Sequence, residues 1–169
     1  MPDSLERFLD QVARRGSWVG GGSVAALSAA LAAALLEKLV VHAAARRPLK
    51  RIRTDCARLI HQDAERFARV IQALQARKHA LFARSLKSAT EVPCRVFAHA
   101  QAVQSACRRA QRSIKPRLQS DLRCAMALAL AASESARTLI ETNLAWLDDP
   151  AYTKTVHRWL QSAIRVHVR

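Results

Sequence analysis

The first apolar positions, Leu5, Phe8, Leu9 and Val12, are spaced i, i+3, i+4, i+7. With Asp3 and Glu6 arranged as a capping box, they predict a short amphipathic helix ending near Gly16. After Gly20, Gly21 and Gly22, with Ser23 as N-cap, the run SVAALSAALAAALLEKLVVHAAARR is apolar on every face for its first four turns. A helix without a polar side must be covered by protein, and its Ala and Ser residues let neighbours come close. It is the expected central helix, with a subunit interface as one way of covering it. The uninterrupted apolar stretch, residues 24–36, falls short of the ~20 residues that cross a bilayer, so a core helix and no membrane partner are expected.

A break is expected around Pro48. Beyond it Cys56, Ile60, Asp63, Phe67, Val70 and Leu74 form one stripe while Arg58, Glu65 and Arg69 face elsewhere, which puts Asp63 on the buried side. The pattern restarts near Thr90-Glu91-Val92-Pro93, with Val96, Val103, Cys107 and Ala110 in phase, and Pro116 ends it. Ser120 and Asp121 open a second Ala-rich helix that runs to about Leu147, before Asp148-Asp149-Pro150. From Tyr152 onward Val156, Trp159, Leu160 and Ala163 share one face of a last helix. No repeat or low-complexity linker divides the chain. The expectation is all-α: a single up-and-down bundle of five to six helices over residues 1–169.

Composition narrows this further. Half of the 169 residues are hydrophobic, enough for one core, and 4 Gly with 5 Pro are too few for a turn-rich β fold. The 4 cysteines, Cys56, Cys94, Cys107 and Cys124, form no CxxC pair and read as reduced residues of a cytoplasmic protein. Asp3, Glu6 and Asp10 stand where a signal peptide would be basic and apolar, so secretion is not expected. His42, His61, His79, His99, His157 and His167 show no ligand spacing, and no metal is expected. A net charge of +15 calls for an anionic partner. Its densest clusters are Arg46, Arg47, Lys50, Arg51 and Arg53, and then Arg108, Arg109, Arg112, Lys115 and Arg117. With 3 Trp, 1 Tyr and 4 Phe to stack on bases, nucleic acid is the less favoured choice.

Three places offer chemistry. The glycines at 20–22 leave backbone N–H groups open at a helix start, either as a plain connection or as a cradle for a polar ligand. Asp63, a carboxylate on an apolar stripe, must be paired, hydrogen-bonded or shifted in pKa; a buried ion pair with an arginine is the alternative to a catalytic role. Ser120 and Asp121 serve as a cap and a dipole-complementing acid unless a ligand recruits them. No GxSxG or P-loop is present.

The segment GGGSVAALSAALAAALLEKLV resembles the Gly-rich loop and first long helix of the formiminotransferase-cyclodeaminase C-terminal family, which includes free-standing methenyltetrahydrofolate cyclohydrolases. DAERF at 63–67, SATEVP at 88–93, SDLRCAMALAL from 120 and NLAWLDD from 143 follow in the same order, so the resemblance spans residues 3–150. It implies an all-α homodimer that binds a tetrahydrofolate derivative as substrate, polyglutamylated forms included. It also implies Asp63 and Asp121 as catalytic groups, and Gly20, Gly21, Gly22, Ser23 and Ser120 as substrate-binding ones. Departures are visible: Ser17-Trp18-Val19 replaces the family's Pro-Thr-Pro, and Ile114-Lys115-Pro116-Arg117 its Gly-Asn element. A Pro-Lys after the Asp63 stretch is missing, and Leu139 stands where Asn is common. Two functions follow: a cyclodeaminase or cyclohydrolase acting on C–N bonds of a one-carbon folate, or an inactive helical scaffold whose basic faces hold RNA or protein.

Overall fold

The computed structural model describes residues 2–168, with side chains for 4–165. Asp3 as a capping side chain and His167 therefore lie outside the described side chains. The helices are α1 (Pro2–Ala13), α2 (Gly21–Leu39), α3 (Ala43–Gln75), α4 (His79–Ala110), α5 (Gln119–Leu147) and α6 (Pro150–Val168), with a single 3-10 turn, Pro116–Leu118, before α5. Helices α2 to α5 each pack on the next, and α5 closes back on α2. Helix α6 lies along α4, whereas α1 makes at most isolated approaches to the others.

Helix α2 is central because its alanines allow it to be. Ala25, Ala26, Ala29, Ala30, Ala32 and Ala33 are buried, and Ala125, Ala129, Ala132 and Ala136 of α5 enter the same core. Small side chains bring the backbones close, so dispersion contacts accumulate along the whole length. One stripe of α2 stays uncovered: Val24 and Leu31 are 39% and 49% exposed, with half-buried Leu27 between them and Leu35 one turn beyond. By length and composition this 19-residue helix could cross a membrane, longer than the uninterrupted run suggests, but 56% of the stretch is buried within the protein, as for a core helix.

Of the expected proline breaks, the one at Pro116 is present and those at Pro48 and near Pro93 are absent. Pro48 lies inside α3, exposed and near its start, where it costs one ladder hydrogen bond at the less constrained end of a 33-residue helix. The actual break is at residues 40–42, where Val40 and His42 are extended. Pro93 is buried in the middle of α4, flanked by buried Thr90, Val92, Val96 and Phe97, and this packing carries the helix through it. The true turn between α3 and α4 has Arg77 in the left-handed conformation at φ 53°, with the Lys78 N–H on the Ala73 carbonyl and the Arg77 N–H on the Leu74 carbonyl. That is a helix stop built as for glycine but occupied by arginine. The caps also differ from expectation. Gly20 and Leu118 occupy the cap positions, so Ser23 and Ser120 fall within the first turns of α2 and α5.

Candidate functional site

Gly20 brings the chain into α2 with no side-chain cap of its own, so the N–H groups of the first turn need acceptors from elsewhere. Asp63 of α3 supplies one from 40 residues away. The Ser23 backbone N–H donates to its carboxylate. The Ser23 hydroxyl lies 3.0 Å from both Asp63 Oδ2 and the Ile60 carbonyl oxygen and shares its proton between them. Gly22 makes room for this. A Cβ at that position would lie 2.5 Å from Asp63 Cγ and 2.8 Å from Oδ2. At Gly21 a Cβ would meet the Leu139 side chain at 3.7 Å, and around Gly20 there is open space.

Burial pushes the Asp63 carboxyl above its ordinary range, and the two Ser23 donors pull it back only in part. No cation among the described residues contributes to that balance, so the alternative of a buried ion pair with arginine is not what holds Asp63 there. One turn further along α3, Phe67 meets Trp18 edge-on with centroids 6.4 Å apart. An aromatic pair therefore stands beside the carboxylate, and Leu139 lies over the glycines.

The matching sequence blocks are tied together in space. Arg66 of DAERF donates to the Ser88 carbonyl at 2.6 Å and pairs with Glu91 at 2.7 Å, joining SATEVP. Lys87, just ahead of that block, pairs with Asp149 of NLAWLDD at 2.8 Å, and Asp149 also caps α6 by accepting from the Tyr152 N–H.

Asp121 is elsewhere. It pairs with Lys38 at 3.1 Å, beside the last turn of α2. Ser23 and Lys38 are separated by most of the length of α2, roughly 22 Å at 1.5 Å per residue. Gly20, Gly21, Gly22, Ser23 and Asp63 thus come together, while exposed Ser120 and Asp121 sit at the opposite end of α2 in the same chain. Among the described residues no three His, Cys, Asp or Glu side chains converge as a metal site requires.

A profile of the formiminotransferase-cyclodeaminase family matches residues 4–162. The chain belongs to this family. The formiminotransferase-cyclodeaminase match covers α1 through most of α6, so every element that shapes the Asp63 site lies within it. The fold is similar to the crystal structure of formiminotetrahydrofolate cyclodeaminase from Thermotoga maritima, with a TM-score of 0.79 and 22% identity over 96% of this chain and 87% of that one. No curated protein sequence matches the chain.

Sequence reasoning missed the Ile60 carbonyl as a partner of Ser23, since a backbone acceptor leaves no trace in residue type. It noted Trp18 and Leu139 only as departures from the formiminotransferase-cyclodeaminase pattern. Both lie at the site, and their mismatch with that pattern was the available signal.

Proposed function

We propose that this chain is a cytoplasmic, homodimeric cyclodeaminase or methenyltetrahydrofolate cyclohydrolase, acting on C–N bonds of a tetrahydrofolate derivative. The observation that carries this reading is the Asp63 carboxylate, fixed against the open start of α2 by Gly22 and Ser23 and lacking a cationic partner, in a chain of this family. A 5,10-methenyl bridge is a delocalised cation, and an anion held opposite it stabilises charge in a partly desolvated site. In hydrolysis, water adds to the bridge carbon and loses one proton; the remaining hydroxyl proton leaves as the C=O bond forms and one C–N bond breaks, and the departing nitrogen gains a proton, so that one proton is released to solvent overall. In this reading Asp63 takes the proton lost by the attacking water and returns one to the departing nitrogen, and its raised pKa suits both halves. The open backbone at Gly20 suits the approach of a flat heterocycle, with Trp18 and Phe67 as its apolar wall. The basic surface suits a polyglutamate tail. Four free thiols suit a reducing compartment.

The uncovered stripe of α2 supports the dimer. If two copies pair along it about a two-fold axis near Leu31, α2 runs antiparallel to its counterpart. The Asp63 end of one protomer then meets the Lys38 and Asp121 end of the other, uniting the two carboxylates, and Ser120 with them, that a single chain keeps apart.

The test is to mix purified protein with 5,10-methenyltetrahydrofolate and follow the methenyl absorbance. Saturable binding with loss faster than buffer supports an enzyme. Binding without loss makes the chain a folate-binding protein, and no binding removes the folate reading in favour of the basic-faced scaffold.

A further inference from the structure

The two basic clusters of the sequence take no part in the Asp63 site, and the fold brings them together. Because α3 and α4 form an antiparallel hairpin, the start of α3, with Arg46 and Arg47, lies beside the end of α4, with Arg109 and then Arg112. Between these helix ends and the link that leaves α2 is a cavity of about 480 Å³. Ligand pockets in proteins span roughly 300–1,000 Å³.

The cavity exists because small residues face one another. Ala102, Ala106 and Ala110 are spaced i, i+4, i+8 on α4, and they look across at the first turn of α3 and at Leu49 and Ile52. Larger side chains at these positions would fill the space and gain apolar burial, so keeping it open forgoes packing energy. The walls are mainly hydrocarbon. The polar groups are His42, Arg109 and Ser113. The Arg109 guanidinium donates to Ser105 Oγ at 2.6 Å, and among the described residues no carboxylate lies within ion-pair distance of it. The cavity therefore combines an apolar interior with a cationic edge whose countercharge no described residue supplies.

We propose that this cavity binds an amphipathic monoanion: a free acyl chain of medium length ending in a carboxylate, the head on Arg109 and the chain along the α4 alanines. The charge excludes an uncharged hydrocarbon as the preferred ligand, because binding one would leave the cationic rim facing an empty mouth. The walls exclude a compact polyanion, which would meet the rim but gain nothing from the interior. Leu39 and Val40, at the end of α2, form one wall, so within one chain the cavity lies a helix length from Asp63 and shares no lining residue with its site.

The test is calorimetric titration of the full-length protein with decanoate at low salt, with decanol and inorganic phosphate as probes of chain and head alone. Decanoate should bind saturably with one site per chain, and decanol and phosphate should each bind at least tenfold more weakly. Arg109→Gln should weaken decanoate about tenfold or more, the scale of one lost charge-assisted hydrogen bond. Ala106→Trp should abolish binding with helicity unchanged, and Ala102→Leu, a smaller intrusion, gives the same reading should the tryptophan variant not fold. Asp63→Asn should bind decanoate as the parent does, and 5-formyltetrahydrofolate should not displace it. Absence of decanoate binding, or equal affinity in the filled variants or Arg109→Gln, overturns the proposal. Displacement by the folate overturns it by making the cavity part of the folate site. Sedimentation with phosphatidylglycerol vesicles that depends on Ala106 overturns the free acid in favour of a lipid surface.

Discussion

Gly22 on α2 and Asp63 on α3 are so close that the carboxylate occupies the space a side chain at position 22 would need. Gly22→Ala should therefore destabilise the fold by about 1–3 kcal/mol, the usual cost of forcing a methyl group into a filled site. Gly20→Ala, with nothing within 4 Å and a negative φ, should stay within about 0.5 kcal/mol of the parent. Urea unfolding of the two variants decides the matter, and equal midpoints would mean that the contact does not constrain the chain.

The Asp63 carboxyl is raised above its unfolded value of 3.8, chiefly by burial. The native state thus holds this proton more tightly than the unfolded chain does. Its contribution to stability is complete below the unfolded pKa and is lost as pH rises through the folded one. Against Asp63→Asn, which does not titrate, the parent should lose relative stability from pH 4 upward until Asp63 is fully ionised. A difference that does not change with pH would show that the carboxyl titrates normally. Turnover of the parent should rise with pH over the same interval, and Asp63→Asn should reduce it by about 10²–10⁴-fold.

Leu31→Glu places a charge in the middle of the uncovered α2 stripe, where the side chain is 49% exposed in one chain. Analytical ultracentrifugation should find the parent dimeric and the variant monomeric, with the same helical signal. A parent that is monomeric at all concentrations rules out pairing along this face.

Leu139 covers Gly21 where the family commonly has Asn. Leu139→Asn exchanges an apolar cover for an amide able to bond a heterocycle, and affinity for 5,10-methenyltetrahydrofolate should tighten by about tenfold, the value of one good hydrogen bond. Unchanged affinity would place the ligand away from Gly21.

Burial pushes the Cys56 and Cys94 thiols up to about 12 and that of Cys107 up to about 11, so none of them forms thiolate at neutral pH. Cys124 is exposed on α5. Iodoacetamide should therefore modify Cys124 first. Peptide mass mapping reads the outcome, and rapid labelling of any of the other three would contradict the burial described.

Helical periodicity and the two Ala-rich runs were enough to read the bundle with α2 at its centre, whereas the shared face of α6 did not say whether it docks, as it does through Val156 and Leu160. Helix ends were harder to read. Pro48 and Pro93 look like breaks to a local rule, and tertiary packing overrides that rule at Pro93. The true stop at Arg77 uses a residue type that carries no turn signal. At the site, Asp63 was legible because a carboxylate on an apolar stripe needs an explanation. Its partner was not, because Ser23 reads as a cap for its own helix, whereas its hydroxyl in fact turns to α3. The distance between Asp63 and Asp121 was equally hidden, since order along a chain does not say which end of a helix a residue reaches.

The closure of α5 onto α2 has a consequence for synthesis. On the ribosome α2 is complete at Leu39, yet the helix that covers much of it begins only at Gln119, after α3 and α4. At translation rates of about 5–20 residues per second, this alanine-lined surface waits several seconds for its cover. During that interval the growing chain is a natural client for holdase chaperones, and cover for α2 arrives only when α5 has emerged.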